Sequence, residues 1–386
     1  MFDRRDRADG SPTKLAGDLL MVSDLRVSFA TDQGLARVLD GVSLTVGHGE
    51  VLGLVGESGC GKTTLARAIL GVLPANAARI DSGSIVFRGE PLLDMPPEEI
   101  AAAIRGRRIT FIPQDPLAAF NPLFRVGSQI DELMKWKSPR CGPERRSGIS
   151  ALLVGYSRAR RTADRADVAE LLRRIQIPEP GASLSKLPHE FSGGQRQRLM
   201  IAMSLLPDPE LIVADEPTTA LDVTIQAQIL RLLRALVKER GISVLFTTHN
   251  MGTAHEICDR VTVMYAGQEM ETAPTRSFFA RPAHPYTAKL LESLPRPGRE
   301  IREIGGEIPG LIDPPAGCRF HPRCTYTTDV CRHERPAPRQ VGDAHAVRCH
   351  HPLAPTETIP PGVPRASTAD RSHAQLPGQL FSADSR

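Results

Sequence analysis

The chain has 386 residues, 41% of them hydrophobic and 24% charged, with a formal charge of +4. That length can hold two domains, one of them with a large core. The small, dispersed charge argues against nucleic acid as a partner, and an aromatic content of 4% argues against wide base stacking.

No window approaches 18 uninterrupted apolar residues, so no membrane span is expected. Residues 1–7 have no apolar stretch behind them, so no secretory signal is expected either. In the cytosolic setting this suggests, seven cysteines argue against a disulfide framework.

Residues 1–17 are polar and charged and are expected to be disordered. Leu25-Arg26-Val27-Ser28-Phe29 alternates apolar and polar, as a half-buried strand does. Residues 38–46 alternate again, and Gly47 to Glu50 turn the chain into the run Val51-Leu52-Gly53-Leu54-Val55, which reads as a buried strand.

Next comes Gly56-Glu57-Ser58-Gly59-Cys60-Gly61-Lys62-Thr63-Thr64, which fits the phosphate-binding pattern G-x-x-x-x-G-K-[ST]. Glycines let the backbone curl so that N–H groups point at phosphate oxygens. The Lys62 ammonium can reach the β- and γ-phosphates, and the Thr63 hydroxyl can coordinate Mg²⁺. Residues 65–70 read as the following helix, whose positive end faces the phosphates. Cys60 reads as a packing residue within the loop. Phe29 has two readings: a ring against the adenine base, or a plain core or edge phenylalanine.

Residues 80–95 read as a further β segment around Gly83-Ser84-Ile85-Val86-Phe87. Ile109-Thr110-Phe111-Ile112 is a predicted strand ending at Pro113-Gln114-Asp115-Pro116, where the Gln114 amide oxygen can lie near a metal. Residues 120–187 read as mostly helical, with one helix starting at Ile130 and another over residues 168–175. Between them, residues 135–165 carry nine Lys/Arg against two Asp/Glu. They read as an exposed insertion: a solvated loop, or a contact for anionic headgroups.

Phe191-Ser192-Gly193-Gly194-Gln195 opens a predicted helix and offers a second anion site, from backbone N–H groups, a hydroxyl and a positive helix end. Leu211-Ile212-Val213-Ala214-Asp215-Glu216 is an apolar strand closed by two carboxylates. Burying charge is costly, so such an ending points to function. Asp215 would hold Mg²⁺ through water, and Glu216 would polarise the water that attacks the γ-phosphate. A last strand over residues 241–246 leads to Thr247-Thr248-His249, and His249 either hydrogen-bonds the γ-phosphate or is a bland loop histidine.

These strings, in this order, resemble the ATP-binding cassette ATPases. They are the phosphate loop at 56–64, the Gln114 loop, the signature Phe191-Ser192-Gly193-Gly194-Gln195, the Asp215-Glu216 strand, the D-loop Thr219-Ala220-Leu221-Asp222 and the switch His249. Met200-Ile201-Ala202-Met203, the long string from Ala214 to Gln228, Tyr265-Ala266-Gly267 and His284-Pro285-Tyr286-Thr287 are similar to the D-type ATPase of dipeptide/oligopeptide importers. The resemblance covers roughly residues 20–352. Two departures are Phe191, where cassettes in general carry Leu, and Asn250, where an acidic residue usually follows the switch histidine.

The resemblance implies an α/β fold, an ABC-type P-loop nucleotide-binding domain. It has a RecA-like core, an antiparallel β subdomain and a helical subdomain, followed by a small cysteine-containing extension. The implied layout is an ATPase domain over 18–275 with the helical part at about 115–187, an extension over 276–352, and a disordered tail over 353–386. It implies ATP and Mg²⁺, with Thr63, Gln114 and Asp215 around the metal. Glu216, His249 and Gln114 would act in hydrolysis. Residues 56–64, among them Ser58, Gly59 and Thr64, would cradle the nucleotide, and Ser192–Gln195 and Asp222 would face it. The implied partners are a second, paralogous cassette, two membrane permease subunits and, indirectly, an extracytoplasmic peptide-binding protein. The implied place is the cytoplasmic face of the inner membrane. Cargoes such as nickel, opines or sugars, or a soluble role in translation or DNA repair, are the alternative readings.

Cys318, Cys324, Cys331 and Cys349 fall within 32 residues, at gaps of five, six and seventeen. Four thiols so close suggest a metal centre. Their spacing lacks the two-residue gap of most zinc knuckles, and four-cysteine ligation also suits an iron–sulfur cluster. The resemblance implies a [4Fe-4S] cluster for some members; zinc and free thiols are the other readings. Cys141 and Cys258 read as incidental; His321, His333, His345, His350 and His351 lie nearby and either offer a ligand or are solvated loop histidines.

Overall fold

The computed structural model describes residues 17–141, 155–218, 222–294 and 304–354. Outside them lie most of the N-terminal stretch and C-terminal tail expected to be disordered, the middle of the basic stretch at 142–154, residues 219–221 of the D-loop, and the Pro- and Gly-rich residues 295–303.

Among the described residues, eight strands form the larger sheet. Their order is Arg339–Gly342, His345–Val347, Gln268–Pro274, Arg260–Tyr265, Val51–Val55, Ser243–Thr248, Leu211–Asp215 and Ile109–Ile112. The last five run parallel. Parallel strands need crossover connections that cover both faces, so they read as continuous apolar runs. Accordingly Val51–Val55, Leu211–Asp215 and Ser243–Thr248 are buried at every residue. The first three strands pair antiparallel, and through His345–Val347 the C-terminal segment joins the same sheet.

A four-stranded antiparallel sheet, in the order Gly34–Gly47, Asp18–Thr31, Ala78–Phe87 and Glu90–Pro91, lies beside it. Its apolar residues Leu20, Val22, Leu25, Val27 and Leu39 pack with Leu52 and Leu54 of the phosphate-loop strand and Leu65 and Ile69 of the helix that follows. Each such side chain contributes roughly 1.5–3 kcal/mol by leaving water. The phosphate loop is thus clamped at its base by two sheets.

The helices Val126–Lys137, Arg158–Arg174 and Gly193–Leu205 bring Ile130, Met134, Val168, Leu171, Leu172 and Leu199 into the main core. The first two start earlier than the apolar spacing suggested. Four arginines between residues 158 and 165 hide the helical period there. Asp131 on the neighbouring helix accepts hydrogen bonds from Arg161 at 2.6 Å and from Arg165 at 3.0 and 2.6 Å. Buried Asp164 accepts from Ser138 Oγ and Tyr156 Oη, each at 2.8 Å, and from Arg140 at 3.0 Å. Residues 135–137 and 158–165 of the basic stretch are therefore helix, with Arg161 and Arg165 paired to Asp131, where a solvated loop was expected.

Candidate functional site

The site is built where three parallel strands end side by side. Val51–Val55 leads into residues 56–64, Leu211–Asp215 ends at the two carboxylates, and Ser243–Thr248 ends at His249. Neighbouring strands lie about 4.8 Å apart, so these ends fall within side-chain reach of one another.

The loop's curl needs its glycines. Gly56 has a φ of +152°, and a Cβ there would lie 2.3 Å from the Met264 carbonyl oxygen. Gly61, at +106°, would bring one to 2.9 Å from the Val38 oxygen. The helix Lys62–Ile69 starts directly after it. The Lys62 ammonium is buried and donates to the carbonyls of Gly56 at 2.9 Å and Glu57 at 3.1 Å, with Cys60 Sγ at 3.8 Å. Burial pushes the Cys60 thiol up, opposed by the Lys62 charge, so it stays a neutral packing group.

The carboxylates converge on the loop. Asp215 is buried, and its Oδ1 accepts from Thr63 Oγ1 at 3.2 Å and from Thr247 Oγ1 at 2.6 Å. Glu216 sits at φ 46°, a left-handed conformation that costs a non-glycine residue roughly 1–2 kcal/mol. Its N–H is held by the Thr247 carbonyl and Oγ1, both at 3.1 Å. One Glu216 oxygen lies 4.0 Å from Lys62 Nζ; the other is 2.9 Å from His249 Nδ1 and 3.4 Å from Gln114 Nε2. Strain held by such a network marks a functional position. Paired hard oxygens from Thr63 and Asp215, beside a loop of backbone N–H groups, suit Mg²⁺ and phosphate.

Lys62, Thr63, Gln114, Asp215, Glu216 and His249 thus come together. Thr64 follows in the helix, and Ser58 and Gly59 shape the loop's outer turn. Phe29 is half-buried and packs against the core of the smaller sheet. Asn250, in place of an acidic residue, caps the helix Met251–Ile257 by accepting the Thr253 N–H at 3.2 Å.

The signature is not beside its own phosphate loop. Ser192 caps the helix Gly193–Leu205, which packs against the edge strand Ile109–Ile112, three strand positions or about 14 Å from Val51–Val55. Ser192 Oγ accepts the Gln195 N–H at 3.3 Å, and Gln195 Oε1 accepts the Ser192 N–H at 3.0 Å. That leaves the serine's own O–H proton as a donor for an anion. Asp222 caps the helix Val223–Arg240 by accepting the Ile225 N–H at 2.9 Å.

Cys318, Cys324, Cys331 and Cys349 line one small pocket with His284, Phe320, His321, His350 and His351. Burial pushes the Cys318 thiol up to about 11 and the Cys349 thiol up to about 12, and the neighbouring thiols add to both. Among the described residues no three or more His, Cys, Asp or Glu stand at metal-holding spacing. The donors therefore converge in kind, without a closed coordination sphere.

Sequence reasoning missed Thr247, Asp40, Glu57 and the arginines beside the cysteines. Thr247 holds both carboxylate residues, and its only signal was a hydroxyl two residues before the switch histidine. Asp40 accepts from Arg26, from Gln268 at 2.9 Å and from Arg319 at 2.9 Å, with Arg335 at 3.5 Å. Burial pushes its carboxyl up, but Gln268 and the guanidiniums outweigh it and hold it below the usual range.

Two family models match the chain: ABC transporter over residues 39–219, and the oligopeptide/dipeptide transporter C-terminal region over residues 270–331. The chain is 43% identical over 335 residues to a probable peptide ABC transporter ATP-binding protein, y4tR, of Sinorhizobium fredii, covering 86% of this chain and 94% of the relative. It is 40% identical over 334 residues to the dipeptide transport ATP-binding protein DppD of Bacillus subtilis, with the same two coverages, 86% and 94%. A solved structure, the ATP-binding cassette MJ0796 as a dimer bound to ADP and Pi, superposes with a TM-score of 0.54 at 23% identity, over 67% of this chain and 99% of that one. That likeness bears on the fold alone.

Proposed function

The chain belongs to the ABC transporter family of ATP-binding subunits, in its oligopeptide/dipeptide branch, and from that we propose that it is the ATP-hydrolysing subunit of an importer for di- and oligopeptides. The observation that carries the ATPase reading is the convergence on the phosphate loop of Lys62, Asp215, Glu216 and His249, with Glu216 held in a strained backbone conformation.

In this reading Lys62 leaves the loop carbonyls for the β- and γ-phosphates. Glu216 takes the proton of the attacking water, and His249 and Gln114 orient its carboxylate. Thr63 and Asp215 would hold Mg²⁺, with Gln114 nearby; when bound, the ion neutralises charge on the phosphates. Phe29 would lie against the adenine. Ser192, Gly193, Gly194, Gln195 and Asp222 would complete a site across from another cassette's phosphate loop. The strand spacing that keeps the signature from its own loop supports this, and the branch suggests a paralogue as partner.

Two permease subunits would dock near Gln114, where Leu123 is 83% exposed and Phe124 is 56% exposed. No helix among the described residues is long and apolar enough to cross a membrane. The chain would sit peripherally on the cytoplasmic face of the inner membrane, supplied by an extracytoplasmic peptide-binding protein. Affinity purification from detergent-solubilised membranes tests the assembly. Recovery of two permeases and a second cassette is expected; recovery of ribosomes or DNA in their place overturns it.

We also propose that Cys318, Cys324, Cys331 and Cys349 hold a [4Fe-4S] cluster, with zinc as the alternative. The four thiols facing one pocket support this, and their role would be to pin the extension. Cys324→Ser should lower bound iron per chain; unchanged metal content would refute the site, and zinc in place of iron would select the alternative.

A further inference from the structure

The second residue of the phosphate loop, Glu57, is tied to the C-terminal segment at every polar group except the carbonyl that receives Lys62. Its N–H donates to Tyr286 Oη at 3.3 Å, and its carboxylate takes a two-pronged contact from Arg323, Nη1 to Oε2 at 2.9 Å and Nη2 to Oε1 at 3.2 Å. Planar pairs of this kind fix orientation as well as charge.

Arg323 is built into this place. Its side chain is only 3% exposed. Beyond Glu57, it donates to Tyr265 Oη at 3.2 Å, to the Gly305 carbonyl at 3.1 Å and to the Ile304 carbonyl at 2.8 Å. These five contacts match its five N–H donors. Behind it, Tyr265, Tyr286 and Phe320 pack with ring centroids 4.7 to 5.3 Å apart. Phe320 also walls the cysteine pocket, and Arg323 directly precedes Cys324. The phosphate pattern demands no particular side chain at position 57, so this carboxylate is available for another purpose.

We propose that Arg323 is a positioning residue for the phosphate loop: through Glu57, and with Tyr286, it makes ATP affinity depend on how the cysteine-bearing segment is seated. The inference rests on the ATPase reading above. The coupling must be reciprocal, since a segment that favours the ATP-ready loop is itself held by bound ATP.

The test uses the assembled complex, with ATP as the probe, and the variants Arg323→Gln, Arg323→Lys, Glu57→Gln and the Arg323→Gln/Glu57→Gln pair. KM for ATP should rise about fivefold or more in Arg323→Gln, by more than kcat falls. Arg323→Lys should recover part of the loss, and the pair should be no worse than the worse single change. To keep the test independent of the segment's folding in Arg323→Gln, the second readout uses hydrogen exchange over residues 318–335 in a Glu216→Gln background. Saturating ATP should slow exchange there, and Glu57→Gln should remove that protection while ATP stays bound. ATP that binds without protecting the segment, or a KM unmoved in both Glu57→Gln and Arg323→Gln, overturns the inference alone. A wild-type complex that binds no ATP overturns the ATPase reading and this inference with it.

Discussion

The nucleotide site and the cysteine-bearing segment are held by different means. In the first, the phosphate loop, Asp215-Glu216 and His249 each follow a parallel strand buried at every residue, so the sheet sets their positions. The second has only short elements of its own: the turn His321–Arg323, the helix Asp329–His333 and the hairpin Arg339–Gly342/His345–Val347. It is placed by the pairing of His345–Val347 with Gln268–Pro274, by Phe320 in the main core and by three arginines. Arg319 and Arg335 reach Asp40, and Arg323 reaches Glu57. Chemistry that must be held to within a fraction of an ångström sits on the larger sheet; the appended segment is tied by its arginines to the smaller sheet at Asp40 and to the phosphate loop at Glu57.

That contrast can be broken from either side. The largest effect should come from Glu216→Gln, which would remove the proposed general base and leave the phosphate cradle. ATP turnover should fall by about 100-fold or more with ATP binding retained, read by turnover and nucleotide retention on the purified complex. Wild-type turnover would remove Glu216 from its role.

Asp40→Asn should act on the other region. Arg319 is 1% exposed and would lose its carboxylate partner, a loss on the order of 3–5 kcal/mol for a buried pair. Proteolysis and hydrogen exchange should loosen over residues 304–354 while the parallel strands stay protected. Uniform loosening of the whole chain would mean that the segment is not the separately held unit described above.

The smallest effect sharpens the first region. Thr247→Val keeps the shape but removes the hydroxyl between Asp215 and the Glu216 N–H. Losing such a buried bond costs about 1–3 kcal/mol, roughly tenfold in turnover. Thr247→Ser should restore most of it, and a valine variant as active as the serine one would make the contact incidental.

Much of the candidate nucleotide site was legible because its motifs are contiguous strings at strand ends: residues 56–64, Asp215-Glu216 and the switch His249. What escaped was pairing across distant parts of the chain. Asp40 and Arg319 are 279 residues apart, and Glu57 and Arg323 are 266; no local period or motif announces such partners. The arginine-rich start of the helix Arg158–Arg174 read as loop for the same reason, since Asp131, which satisfies Arg161 and Arg165, lies on another helix. In the cysteine segment the spacing pointed to convergence, and the pocket brings the four thiols together. Spacing alone carried no information on the arginines that seat it.

The most direct measurement is ATP turnover by the complex reconstituted with its permeases, a second cassette and the binding protein, with and without candidate peptides. Turnover stimulated by di- or oligopeptides is the predicted result. Turnover that ignores peptides but rises with another cargo would contradict the import assignment.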